Sequence, residues 1–495
     1  MPFTPPTLDY HGLAPEIILT LVIAAVLVAD LFLDQSRKWL LSNIAAFGLV
    51  AAMVPILSLA LSETDVRSMV GGAYVVDNFA LVLKALFLGV GFVVLLMSIT
   101  YVEEGDYYEG EFYFLLLCSL LGMVVMSSSR DLITIFVALE TLSIPAYMLA
   151  GWRKRDLKSN EASLKYYLLG VLASAIMLYG MSLIYGFTGT TILTEIGEQL
   201  AGNAAEMPMV TLAIVFIIVG FAFKVSAVPF HSWAPDTYEG APTPVTAFLS
   251  VASKTGGFVA LLQLVFIGFF GRDDVWGPMF GILAALTMTV GNLIALRQTN
   301  VVRLLAYSSI AQAGYILVPL AVAGSAGAAA SGTAFTAAVV YLLVYAAMNL
   351  GAFAIVIAVA RKTRSGEISS YGGLYEYAPG LAVLMTIFLF SLAGIPPLAG
   401  LWAKLFVFRA VIDAGTPWAL LLGVVVAVNS VIALFYYAAI AKEMWMNPVP
   451  DGDKTRIRVP APLIAALGIT AAVVVVVGVY PQTFANFGDL ASLVP

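Results

Sequence analysis

Charge is what this chain lacks most. Its 495 residues include 24 Lys or Arg and 30 Asp or Glu, together 11% of the sequence. Average soluble domains carry about 25% charged residues. A soluble fold of this length cannot cover its surface with so few charges, which excludes a soluble enzyme. Cysteine and histidine are nearly missing: Cys118 is the one cysteine, and His11 and His231 are the two histidines. A disulfide needs a second cysteine, an iron–sulfur cluster usually needs about four, and a bis-histidine haem needs both histidines at membrane depth. No cofactor-binding or metal-binding residues are therefore assigned, and no redox centre is expected in this chain. The net charge of −6 is spread over loops without a basic block, so nucleic acid is not an expected partner. The stretch Met1–Leu13 has no Lys or Arg and no small-residue cleavage site. It reads as uncleaved, with the first apolar run a retained helix.

Apolar sequence is what the chain has in abundance. Hydrophobic residues make up 61%, and the mean hydropathy is +0.97. The apolar runs are about 20 residues long, the length of a bilayer-spanning helix, and too continuous for a membrane barrel. The fold class expected is an all-α polytopic membrane protein in the lipid bilayer. About fourteen spans are predicted, near 15–35, 40–60, 78–101, 112–128, 131–151, 162–186, 208–230, 243–267, 275–296, 304–323, 333–360, 379–412, 416–441 and 460–480. Spans 7 and 12 are irregular. The first meets Pro229 and runs into a Pro-rich stretch, and the second holds Gly394-Ile395-Pro396-Pro397 in its middle. Proline removes a backbone donor and clashes with the preceding turn, so both helices should break. Broken helices at membrane depth mark ion paths in transporters.

Basic residues set the expected orientation. Loops after odd-numbered spans hold 15 of them and loops after even-numbered spans hold 3. The odd loops should face the cytoplasm and both termini the outside. A weak internal repeat adds a second constraint: Phe221–Phe230 lines up with Phe388–Pro397, with three identities at an offset of 167 residues, or five spans. An odd number of spans per unit makes the copies insert in opposite directions. The expected organisation is N-terminal helices 1–3 over residues 1–111, two inverted five-helix repeats over 112–267 and 268–441, and a C-terminal loop and helix over 442–495.

Six basic residues fall within spans. Lys254 is near the middle of span 8, Lys224 lies just before the break in span 7, and Lys404 lies past the break in span 12. Lys84, Lys165 and Arg409 are nearer span ends, where long side chains snorkel to the interface. Glu140 is the carboxylate near the centre of a span. A charge at the bilayer centre costs roughly 2.5 to 3.5 kcal/mol on insertion scales, so such groups face the bundle interior and have partners. Burial disfavours an ammonium ion and a nearby carboxylate favours it, so a buried lysine beside a movable carboxylate can hold and release a proton. Arginine cannot, because its proton essentially never leaves. Glu140, Lys224, Lys254 and Lys404 are the candidate proton relay, with Lys165 and His231 as weaker members. The alternative for each is a structural ion pair, a snorkelling chain or, for His231, a helix cap. Ser143 and Tyr147 share the Glu140 face, and Ser250 and Gly257 the Lys254 face.

The segment from Lys224 through Pro229, His231, Asp236 and Glu239 to Lys254 resembles the signature of the antiporter-like membrane subunits of respiratory complex I. So do Glu140 within Ala138-Leu-Glu-Thr-Leu-Ser143, Arg303-Leu-Leu-Ala-Tyr-Ser-Ser-Ile310, and Gly394-Ile-Pro-Pro-Leu-Ala-Gly-Leu-Trp-Ala-Lys404. The resemblance covers about residues 75–445. Of the L, M and N branches of this family, M carries a glutamate where Lys404 stands and L has a longer C-terminal part, which leaves the N branch. Gln312 departs from the histidine of many relatives. The resemblance implies a proton-translocating subunit of an NADH:quinone oxidoreductase. It also implies FMN, iron–sulfur clusters and quinone in partner subunits, and partners among the other membrane subunits, M and K included. Richness in Gly, Ala and Val points to a bacterial cell (inner) membrane. An Mrp-type Na⁺/H⁺ antiporter subunit or a membrane-hydrogenase subunit would use the same residues. A scaffold subunit would need no ionisable groups at mid-span.

Overall fold

The computed structural model describes residues 8–62, 66–105, 109–201, 208–324, 328–491 and 493. The first seven residues, part of the stretch read as uncleaved, lie outside them. Six single helices come first: α1 (Ala14–Phe32), α2 (Trp39–Leu61), α3 (Asn78–Glu104), α4 (Glu109–Ser128), α5 (Leu132–Ala150) and α6 (Leu157–Thr188). A hairpin, β1 (Arg67–Met69) with β2 (Tyr74–Val76), joins α2 to α3. The short α7 (Leu193–Leu200) precedes the first broken span, α8 (Pro208–Lys224) and α9 (Trp233–Gly240). The eighth span is one rod of α10 (Thr243–Phe248), a π-helical turn (Leu249–Ser253), α11 (Lys254–Gln263) and a second π-helical turn (Leu264–Gly268). Three single crossings follow: α12 (Asp273–Ala295), α13 (Val301–Ala323) and α14 (Ala328–Thr363). After the short α15 (Leu374–Tyr377) comes the second broken span, α16 (Pro379–Ala393) and α17 (Ala399–Ala414). The last crossings are α18 (Pro417–Met446) and α19 (Ala461–Val479), with α20 (Gln482–Leu490) behind them.

Twelve helices among the described residues are long and apolar enough to cross a membrane, and the two broken spans supply the other crossings. Helix starts are written locally. Asp77, Asp131, Asp156, Asn300 and Thr416 each cap a helix by accepting a backbone N–H with the side chain. Three spans form the centre. The most apolar windows of the eighth span, α13 and α14 are 94%, 94% and 100% buried, against 28% for α1 and α18. Predicted span limits match the helices to within about five residues, except that the seventh helix stops at Lys224.

The breaks fall where proline places them, five crossings apart, at 225–232 and 394–398. Their freed backbone groups find protein partners. Val228 N–H donates to Thr287 Oγ1 on α12 at 2.9 Å, and the Trp233 indole donates to the Phe223 carbonyl at 3.0 Å. In the second break, Gly400 N–H donates to Ser391 Oγ at 3.0 Å and Gln312 to the Leu392 carbonyl at 3.2 Å. Gly394 turns the chain at φ 92°, a left-handed conformation that favours glycine.

The N-terminal helices differ from the sequence expectation in one respect. Lys84 does not snorkel: its side chain is fully buried and pairs with Glu16 of α1 at 2.7 Å. The Tyr74 hydroxyl donates to the same Glu16 oxygen at 2.6 Å. Beside it, Arg130 pairs with Asp77 at 2.7 Å, both side chains 1% exposed. These pairs tie α1, β2 and α3 to the start of α5. Removing one partner of a buried pair strands the other charge, which costs about 3–5 kcal/mol. Glu16→Gln should therefore lower the thermal midpoint of the detergent-solubilised protein. The double substitution Glu16→Gln with Lys84→Met should recover most of the loss, read from aggregation onset or intrinsic fluorescence.

Candidate functional site

Lys224 is the last residue of α8, so the break itself positions it. Its ammonium donates to Ser143 Oγ of α5 at 2.8 Å and to the Tyr166 hydroxyl of α6 at 3.2 Å. A Cβ built at Gly257 of α11 would meet the Lys224 Cγ at 3.1 Å, so this glycine makes room for the lysine stem. Tyr166 is held by stacking on Trp233, 4.4 Å between centroids and 9° between planes. Glu140 does not touch Lys224. It accepts from Ser174 of α6 at 2.6 Å and lies one helical turn before Ser143 along α5.

Lys254 begins α11 directly after the first π-helical turn. Turns of this kind inside long helices are frequent at functional sites. Its ammonium donates to Ser309 of α13 twice, to the carbonyl at 2.8 Å and to Oγ at 2.6 Å. Ser309, Gln312 and Tyr315 are three residues apart and share one face of α13. Gln312, where the family resemblance predicted a histidine, accepts from the Tyr341 hydroxyl at 2.5 Å and donates to the Leu392 carbonyl at the end of α16. Lys404 of α17 donates to the next carbonyl, Ala393, at 2.7 Å, and its ammonium lies 4.9 Å above the Tyr315 ring.

One contrast separates these lysines from the other buried cations. Lys84 and Arg130 have carboxylate partners. Lys224, Lys254 and Lys404 have hydroxyl and carbonyl partners, and no ion pair among the described residues. A carboxylate pins a proton on a lysine; neutral oxygens leave the ammonium able to give it up without stranding a buried anion. Nearby hydroxyls of Ser226, Ser253 and Thr255 are buried without a protein partner, as groups that bind ordered water are.

The weaker candidates lie apart from this row. Lys165 is partly exposed and pairs with Glu161 at 2.6 Å and Asp236 at 2.8 Å. Arg303 joins Asp236 at 3.0 Å and Glu239 at 2.8 Å, and Lys158 joins Glu239 at 3.1 Å. This cluster clamps α9 between α6 and α13 on the side of the odd-numbered loops. His231 sits in the first break, half-buried, with Nδ1 unpartnered. Sequence reasoning missed Ser174, Tyr166, Ser309 and Tyr315, because a hydroxyl in an apolar helix carries no mark of the helix it will face. Among the described residues, no three His, Cys, Asp or Glu side chains come together as a metal site.

Comparison with known proteins places this geometry in a family. The profile described as "NADH:quinone oxidoreductase/Mrp antiporter, TM" matches residues 129–430, which span both breaks and all three lysines. The NADH-quinone oxidoreductase subunit N 2 of Streptomyces griseus is 42% identical over 98% of this chain and 94% of its own length. A chain of the respiratory complex I from Thermus thermophilus, solved with bound aureothin, superposes with a TM-score of 0.77. It is 31% identical over 95% of this chain and 98% of that one. A chain of the Mrp complex from Dietzia superposes at 0.85 with 21% identity, covering 98% and 97%, and shows the shared fold alone. The chain belongs to the transmembrane family of NADH:quinone oxidoreductase and Mrp antiporter subunits.

Gln312 of α13 bonds both Tyr341 of α14 and the Leu392 carbonyl at the second break. Gln312→Leu leaves the Tyr341 hydroxyl and the Leu392 carbonyl without a partner, at a cost of about 1–3 kcal/mol each. The expected result is a lower thermal midpoint together with slowed proton translocation in an assembled membrane. Gln312→His, which keeps a donor and an acceptor, should retain more of both.

Proposed function

We propose that this chain is the N-type membrane subunit of a proton-translocating NADH:quinone oxidoreductase. In this reading it moves protons through Glu140, Lys224, Lys254 and Lys404, driven by redox chemistry in partner subunits that hold FMN, iron–sulfur clusters and quinone. Lys165 and His231 serve at the margin of the relay, Lys165 through its pairing with Asp236. Residues 112–267 and 268–441 act as two inverted units, with 1–111 and 442–495 flanking them. The odd-numbered loops face the bacterial cytoplasm and both termini the outside, as the 15-to-3 distribution of basic residues supports.

The observation that carries the reading is the set of buried lysines bonded to neutral oxygens, with Lys254 and Lys404 both set against α13. Lys254 in the first unit and Lys404 in the second both meet α13, so a proton moved from one to the other crosses between the units. Inverted units open to opposite sides, and these two lysines join them. Each charge moved outward works against about 2.3 kcal/mol per 100 mV of membrane potential. The outermost carrier must therefore release its proton against that field, which suits lysine and not arginine.

Glu140 supports membership of an assembly. It is half-buried on a face where Val137, Ile144, Met148 and Leu172 are exposed. A carboxylate in such surroundings is stable where a neighbouring subunit covers it, and the M and K subunits of the complex are the partners proposed. An antiporter subunit acting without redox partners is the competing reading.

Tagging the chain and purifying it in mild detergent should bring flavin and iron–sulfur subunits with it. Recovery of the chain alone, with full cation exchange in vesicles, would favour the antiporter. Glu140→Gln in the assembled complex should cut NADH:quinone turnover coupled to pumping; near-normal turnover and translocation would remove Glu140 from the relay.

Lys404→Arg keeps the charge and the donor to Ala393, so the complex should assemble, as checked on a native gel. NADH-driven proton uptake by inverted vesicles should nevertheless fall well below the wild-type rate. Wild-type pumping by that variant would leave Lys404 a fixed charge.

A further inference from the structure

The eighth span carries a π-helical turn, Leu249–Ser253, and Lys254 follows it directly. Such a turn bonds each residue to the fifth one along instead of the fourth, so it holds one extra residue, and it is rare. One extra residue turns everything after it by about 100° around the helix axis. The turn therefore decides which neighbour Lys254 faces, and here that neighbour is Ser309 of α13. Helix α14 grips the turn at a single residue. Asn349 Nδ2 donates to Ser250 Oγ at 2.7 Å, and the Tyr345 hydroxyl donates to the Ser250 carbonyl at 3.2 Å. Ser250 Oγ in turn donates to the Ala247 carbonyl at 2.9 Å. Ser250 precedes Lys254 by four residues, on the same side of the rod.

The gripping helix is itself held at the second break. Tyr341, Tyr345, Met348 and Asn349 share one face of α14. The Tyr341 hydroxyl donates to Gln312 at 2.5 Å, and Gln312 donates to the Leu392 carbonyl at 3.2 Å. Ser391 Oγ donates to Met348 Sδ at 2.9 Å. Two of the four residues thus fix α14 against the end of α16, and the other two hold the π-helical turn. Tyr345 and Asn349 are fully buried, so neither water nor lipid competes for Ser250.

We propose that Asn349 is a positioning residue for Lys254: by holding Ser250 it keeps the π-helical turn in place and the ammonium on Ser309. The proposal rests on the relay reading of Lys254. An amide side chain does not ionise, so Asn349 carries no proton in this role and acts through Ser250 alone. Without the bond the turn is free to relax into α-helix, which swings Lys254 about 100° away from α13. Leucine is close to asparagine in size and shape. In Asn349→Leu the Ser250 hydroxyl keeps its bond to Ala247, and the lost Oδ1 had no partner, so the grip goes without stranding a buried donor. Ser250→Ala removes the same bond from the other side. Asn429→Leu is the control, because it removes a buried asparagine that joins α12 to α18 through Asn292 at 3.1 Å and has no bond to the eighth span.

The experiment uses the assembled complex reconstituted in vesicles and measures protons translocated per electron pair, with assembly checked on a native gel. The ratio for Asn349→Leu should fall about halfway from the wild-type value to that of Lys254→Ala. Quinone reduction in vesicles made leaky by an uncoupler should stay within about two-fold of wild type, a separation that general damage to packing would not produce. Ser250→Ala should fall likewise and carries the test alone if Asn349→Leu does not assemble. Both variants remove one bond, so the double variant should fall no further than the lower of the two singles. Asn429→Leu should keep the wild-type ratio. A wild-type ratio in Asn349→Leu or in Ser250→Ala, with Lys254→Ala impaired, overturns the positioning role and leaves the relay standing. A double variant that falls clearly below both singles shows that the two residues act separately and overturns it too, as does an equal fall in Asn429→Leu. A wild-type ratio in Lys254→Ala overturns the relay and the positioning role together.

Discussion

A helix that stops inside a membrane frees backbone groups that no lipid can satisfy, at a cost of several kcal/mol for each one left bare. This chain stops twice. The partners it finds decide much of the remaining architecture. At the first break the Trp233 indole and Thr287 meet the freed carbonyl and amide, which fixes α9 against α8 and α8 against α12. At the second, the Ala393 carbonyl is met by the ammonium of Lys404 and the Leu392 carbonyl by Gln312. A lysine serving as the cap of a broken helix sits where irregular backbone and polar side chains replace hydrocarbon. The need to close the backbone and the need to carry a charge at depth are thus met by the same contact.

The central helix α13 links the two halves. On one face it presents Ser309 to Lys254, Gln312 to the end of α16, and Tyr315 to the ammonium of Lys404. The spacing of three residues advances the face by almost one turn each time, so a single rigid helix sets three polar contacts in register. The π-helical turn before Lys254 adds an extra residue to the eighth span, and the lysine follows it directly. Gly257 in the next turn leaves space for the stem of Lys224. Neither arrangement survives a change in helix phase.

Charges buried in this protein follow two designs. Lys84 with Glu16, and Arg130 with Asp77, are neutralised pairs that brace the N-terminal helices against the rest. The lysines of the central row rest on neutral oxygens. A paired charge is held in place by the cost of stranding its partner, while a charge on neutral oxygens has no such hold. The difference lies in the partner and not in depth, since all of these side chains are nearly removed from solvent.

The sequence by itself determined the class of fold, the number of crossings and the places where two of them break. Hydrophobic runs and prolines act locally, through the length of a bilayer and the loss of a backbone donor, and need no knowledge of neighbours. It also marked Glu140, Lys224, Lys254 and Lys404, because an ionisable residue at mid-span is costly enough to stand out. What it could not assign were partners. Lys84 read as a snorkelling side chain until α1 brought Glu16 beside it. Ser174, Tyr166, Ser309 and Tyr315 look like ordinary helix residues, and Gln312 like a departure from pattern, until rotation and packing aim them at a charge. The tertiary structure decided those contacts because the direction of a side chain across a bundle depends on the phase of two helices at once. No single stretch of sequence contains that phase.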